Sequence, residues 1–123
     1  MDTELEKRTL GDTDIQLTCL GFGCASVWGK SLISDEQAKA LYEQAYLSGI
    51  RYFDTGYSYG CAEERIGAIL RSSEVVKREN IVISTKFGTK KVNGKYVHDF
   101  SPDWMRQALK PVCQEWVWRS LTF

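Results

Sequence analysis

Apolar positions recur at helical spacing between Ala38 and Tyr46. Ala38, Leu41, Tyr42, Ala45 and Tyr46 fall at i, i+3, i+4, i+7 and i+8 and share one face. Ser34 precedes them as an N-cap, Asp35 and Glu36 suit the positive end of the helix dipole, and Gln37 completes a capping box. Gly49 is the expected stop. The apolar run Ile50 to Thr55 follows as a strand, and a second helix is predicted over 62–72 with Ile66, Ile69 and Leu70 on one face. Ile81 to Lys86 is a further strand, β-branched and apolar until its last residues. After a polar, lysine-rich loop, Ser101 with Pro102 opens a third helix, which Pro111 is predicted to interrupt.

The start of the chain has a different pattern. Residues 7–10 and 15–18 flank the polar turn Gly11-Asp12-Thr13-Asp14, which reads as a β-hairpin. Leu17 to Gly23 is short, mostly apolar and punctuated by glycine. Its first half reads as a buried strand and its glycines as the start of a loop. The order is thus a hairpin followed by β-α-β-α-β-α. Each crossover helix implies parallel, right-handed pairing of the strands it joins, which is α/β architecture. Ligands of parallel sheets bind at the C-terminal ends of the strands, so chemistry is sought there.

Composition narrows the classes. The 123 residues suffice for one domain, and 43% hydrophobic with 26% charged residues is globular composition. Sixteen basic residues balance sixteen acidic ones with no basic stripe, which argues against a nucleic-acid partner. No apolar run approaches the roughly 20 residues needed to span a bilayer, and Met1 to Arg8 lacks the apolar stretch of a secretory signal. Cys19, Cys24, Cys61 and Cys113 are scattered, with no C-x-x-C pair and with His98 far away, so no metal site is expected. Four reduced thiols in a cytoplasmic protein is the reading.

Three chemistry-bearing residues fall at or just beyond strand ends: Asp54, Tyr59 and Lys86. A carboxylate beside a lysine keeps that lysine charged, and a lysine beside a phenol favours loss of the phenol proton. Together they describe a tuned general acid. An Asp–Lys ion pair with a tyrosine packed nearby fits the spacing equally well.

Five segments in order resemble the N-terminal part of the aldo-keto reductase family. They are Arg8-Thr9-Leu10-Gly11, Leu20-Gly21-Phe22-Gly23, Gly49 to Thr55, Tyr59-Gly60 with Glu63 ahead of Ile66-Gly67, and Ile83-Ser84-Thr85-Lys86. The resemblance covers about Arg8 to Leu109. It implies a hairpin and three βα units of an incomplete (β/α)8 TIM barrel, with NADP as cofactor and a small-molecule carbonyl compound as substrate. It further implies that Tyr59 donates a proton to the carbonyl oxygen and that Lys86 assists it. Asp54 would pair with Lys86 near the nicotinamide ribose. Gly23 and Cys24, within the turn Gly21 to Ala25, would let backbone approach the cofactor. Trp28 would line the substrate pocket or, equally, plug the barrel mouth. A dinucleotide-binding G-x-G-x-x-G is incomplete here, because the next helix starts about ten residues after Gly23.

The resemblance also shows what to look for and not find. The family's fourth catalytic group is a histidine after a fourth strand, whereas His98 lies between the third strand and the third helix and reads as an exposed loop residue. Residues 110–123 depart from the family pattern and end in a crowd of aromatic residues, as a frameshifted or alternatively read end would. A complete barrel needs about 250 residues. The expectation is a partial barrel with open sheet edges, low stability as a monomer, a tendency to self-associate, and weak cofactor binding. Two functions remain: an NADP-dependent reductase of low activity, or a non-catalytic remnant that associates through its open edge.

Overall fold

The computed structural model describes residues 4–116. Its elements are β1 (Lys7–Thr9), β2 (Gln16–Thr18), β3 (Gly21–Gly23), α1 (Asp35–Leu47), β4 (Tyr52–Asp54), α2 (Ala62–Ser72), β5 (Val82–Ser84), β6 (Thr89–Val92), β7 (Lys95–His98) and α3 (Pro102–Glu115). The first two strands pair antiparallel as the expected hairpin. The central sheet is parallel with order β3-β4-β5, and Gly23, Asp54 and Ser84 stand side by side at its C-terminal rim. This is a hairpin followed by three βα units, part of a barrel. No helix among the described residues is long and apolar enough to cross a membrane.

The first helix forms as its sequence dictates. Both halves of the capping box are present, the Gln37 N–H donating to Ser34 Oγ at 3.1 Å and the Ser34 N–H to Gln37 Oε1 at 2.9 Å. Gly49 leaves the helix at φ +94°, a region that suits glycine. The helix buries Ala38, Tyr42, Ala45 and Tyr46, but Leu41 is 51% exposed, so the apolar stripe is narrower than its spacing suggested.

Successive residues of a strand point to opposite faces. Phe22, Phe53 and Ile83 therefore share the helix-covered face, where Tyr42 stacks on Phe53 at 4.0 Å and Phe22 meets both Tyr42 and Trp28 edge-on. Tyr52, Asp54, Val82 and Ser84 share the opposite face and are only half-buried.

Four expectations are corrected. Gly21 to Gly23 is the first parallel strand, not a loop, because Phe22 between the glycines packs, partly buried, against the core. The lysine-rich stretch is a hairpin, β6 with β7, turned by Asn93 and Gly94 at φ +49° and +79°. His98 accordingly ends a strand, exposed and stacked on Phe100. Pro111 does not interrupt α3. The proline forgoes one backbone hydrogen bond, but Ala108 and Val112 on either side are buried, as is Trp116 just past the helix, and this packing carries the helix through. Trp116, within the stretch expected to depart from the pattern, is 1% exposed and donates its indole N–H to the Glu63 carbonyl at 3.1 Å. The remainder of that stretch, with Trp118 and Phe123, lies outside the described residues.

Candidate active site

The rim of the parallel sheet brings Asp54, Lys86 and Tyr59 together. Lys86 lies two residues beyond the end of β5 and reaches back across the rim. Its ammonium donates to Asp54 Oδ1 at 2.9 Å and Oδ2 at 2.7 Å, and to the Thr55 carbonyl at 2.8 Å. The same ammonium stands 4.8 Å from the centroid of the Tyr59 ring. Backbone pairing continues past the strands to fix this approach: the Thr55 N–H donates to Ser84 O at 2.8 Å and the Tyr57 N–H to Lys86 O at 3.3 Å.

Electrostatics follow from these contacts. Burial acts to raise the Asp54 pKa, but the hydrogen bonds from Lys86 and Ser84 and the lysine charge outweigh it and hold the carboxyl below its ordinary 3.8. Burial likewise acts to lower the Lys86 pKa, and Asp54 and Tyr59 outweigh that, holding it above 10.5. Both groups are charged at neutral pH.

Tyr59 is positioned by a close backbone approach. The 56–60 turn lies against Gly29: the Cys61 N–H donates to Gly29 O at 2.8 Å, and a Cβ on Gly60 would collide with that carbonyl. Gly60 also sits at φ +65°. Gly29 is held in turn by Arg65 of α2, whose buried guanidinium donates to the carbonyls of Trp28, Lys30 and Ile33 and to Asp35 Oδ1. Glu63, in the first turn of α2, accepts from Thr85 Oγ1 at 2.5 Å and so ties the residue before Lys86 to the helix; burial pushes its carboxyl pKa up.

The residues expected at a cofactor or substrate are divided. Gly23 ends β3 beside Asp54, and among the described residues nothing lies within 4 Å of the place a Cβ would take, so the described part of that rim is open. Cys24 is 0% exposed, and burial pushes its thiol up to about 12. Its side chain turns to the helix-covered side, while its backbone N–H donates to the Asp54 carbonyl at 2.8 Å and so stays beside the rim. Trp28 is 5% exposed, packed against Phe22 and Tyr42 with its indole N–H on the Ala38 carbonyl at 2.9 Å, which leaves it in the core. Sequence reasoning passed over Ser84, Arg65 and Gly29. Ser84 was within reach, since it lies two residues before Lys86 at the strand end. A cleft of about 650 Å³ lies elsewhere, lined by residues that include Asp35, Lys39, Cys61, Arg65 and Ile69.

Comparison with known proteins shows the family and the fold. The family model described as Aldo/keto reductase family matches residues 19–116. Pyridoxal 4-dehydrogenase of Microbacterium luteolum is 45% identical over 86 residues, covering 68% of this chain and 24% of that protein. L-galactose dehydrogenase of Arabidopsis thaliana is 31% identical over 112 residues, 87% of this chain and 33% of that protein. Among solved structures, a Pseudomonas aeruginosa protein described as an aldo-keto reductase superposes with TM-score 0.76 at 33% identity, over 90% of this chain and 42% of that one. The holo form of an aldo-keto reductase from Bacillus halodurans gives 0.77 at 28% identity, over 93% and 37%. The chain spans a quarter to a third of the length of these curated relatives.

Proposed function

The chain belongs to the aldo/keto reductase family, and on that premise we propose that its strand-end cluster is the proton-donating part of an NADP-dependent reduction of aldehydes or ketones. The observation that carries the proposal is the Lys86 ammonium, which grips both oxygens of Asp54 while standing over the Tyr59 ring.

The open backbone at Gly23 and the carboxylate of Asp54 beside it are the residues here that would hold the nicotinamide end of NADP. The Cys24 thiol, fully buried, takes no part, while its backbone follows Gly23 beside Asp54. When bound, the cofactor supplies the hydride that reduces the carbonyl carbon. The chain's own part is the proton. Tyr59 donates it to the carbonyl oxygen as negative charge develops there. The Lys86 charge stabilises the phenolate left behind, and a fixed cation beside developing negative charge acts most strongly in the transition state. Asp54 keeps Lys86 charged and aimed. Low activity is part of this proposal, because the residues named here hold only the nicotinamide end of the cofactor.

A second reading has its own support. Both β3 and β5 are edges of the three-stranded sheet among the described residues, and the face that carries Tyr52 and Val82 is only half-buried. Unpaired edges invite strand addition, so a non-catalytic chain that associates through this sheet is the alternative. Purified chain mixed with NADPH and a reactive aldehyde separates the two. Loss of the reduced-nicotinamide absorbance favours the reductase, and a folded chain with no turnover favours the second reading.

A further inference from the structure

Charge attraction alone does not hold the Asp54–Lys86 pair in one geometry. The side chains are 35% and 50% exposed, and ion pairs that wet are weak and mobile. Something else must fix the carboxylate. On the same face of the sheet, Ser84 Oγ donates to Asp54 Oδ1 at 2.5 Å, and the Tyr52 hydroxyl lies 3.0 Å from Ser84 Oγ.

The direction of this chain follows from counting protons. An ionised carboxylate only accepts, so Ser84 spends its single proton on Asp54. The Tyr52 hydroxyl must then be the donor to Ser84. Donation from Tyr52 polarises the serine and strengthens its bond to the carboxylate. The fold makes room for the arrangement. A Cβ at Gly21, beside Tyr52 on the neighbouring strand, would come within 2.7 Å of Tyr52 Cδ1, so glycine there lets the ring lie flat along the sheet.

We propose that Tyr52 and Ser84 are positioning residues, a hydroxyl chain that runs along the sheet and locks the Asp54 carboxylate in the rotamer that receives Lys86. Its functional meaning rests on the reductase reading of the pair, but the chain itself is testable without turnover. Lys86, with its pKa above 10.5, and the Cys24 thiol, at about 12, do not titrate in the acid range, whereas Glu63 on α2, bonded to Thr85 beside Lys86, does and is followed in the same spectra.

The experiment follows the Asp54 side-chain carboxyl by NMR during an acid titration of the full chain. It compares the wild type with Ser84→Ala, Ser84→Thr and Tyr52→Phe, with folding checked from the amide spectrum. The Asp54 midpoint rises in Ser84→Ala, rises by less in Tyr52→Phe, and returns to the wild-type value in Ser84→Thr. An Asp54 midpoint unchanged in Tyr52→Phe overturns the chain, and so does one unchanged in Ser84→Ala. Should Ser84→Ala fail to fold, Tyr52→Phe decides, since it deletes only one oxygen from a half-buried ring. Because no step of this reading uses NADPH, absent turnover would count against the reductase and leave the titration result standing.

Discussion

The Lys86 ammonium stands 4.8 Å from the centroid of the Tyr59 ring, and it is brought there by its grip on Asp54 rather than by its own strand. Protonating Asp54 therefore loosens the cation that serves Tyr59. The folded Asp54 pKa lies below 3.8, so its stabilisation is complete above that value and is lost as pH falls through the folded pKa. The folded Lys86 pKa lies above 10.5, so its share is complete below that value and is lost as pH rises through the folded pKa. Denaturant midpoints should be flat between these limits as far as this pair is concerned. In Lys86→Met the acid-side loss attributable to Asp54 shrinks. The difference is small, at most about 1 kcal/mol, because the pair is half exposed.

Gly60→Ala should disturb Tyr59 without touching it. The substitution puts a Cβ against the Gly29 carbonyl and forces a side chain into left-handed backbone, which costs at least ~1 kcal/mol. Thermal unfolding should show a lower Tm. Chemical-shift changes should concentrate on the segments around Gly29 and Tyr59, and changes spread evenly over α3 would contradict the role given to this contact.

Much of this architecture was legible in the sequence. The capping box at Ser34 and Gln37 is a local signal and forms as read, and the helix over 62–72 has those bounds in the structure. Asp54, Tyr59 and Lys86 were legible because their place at strand ends depends only on element order. What the sequence left unread depended on register or on tertiary packing. The Cys24 side chain faces the core because one residue reverses the face in a strand. Ser84 stands at the strand end in the sequence, but its place opposite Asp54 comes from the pairing of two distant segments. Asn93-Gly94 is a turn signal that the sequence reading passed over, because the lysines around it masked the strands of that hairpin.

Pro111→Ala should stabilise the protein. Proline in a helix interior is about 3 kcal/mol worse than alanine, an excess partly offset by the extra freedom alanine has when unfolded. Pro111 is exposed, so little packing is lost with it. A gain of about 2 kcal/mol in denaturant unfolding is expected, and an unchanged midpoint would mean that α3 is not continuous through residue 111.

Leu20, Leu32, Leu47 and Phe100 are 58%, 73%, 63% and 70% exposed, alongside strand edges that are unpaired among the described residues. Exposed apolar surface of this kind drives association. Sedimentation should show average mass rising with concentration. A monodisperse monomer with a sharp, cooperative thermal transition would refute this expectation.

The most direct measurement is NADPH oxidation by the wild-type chain and by Tyr59→Phe, side by side, with one reactive aldehyde. If the phenol is the proton donor, the wild-type chain turns over slowly and Tyr59→Phe loses that rate by 10²-fold or more, about the scale of one general acid. Equal rates in the two proteins would contradict the account.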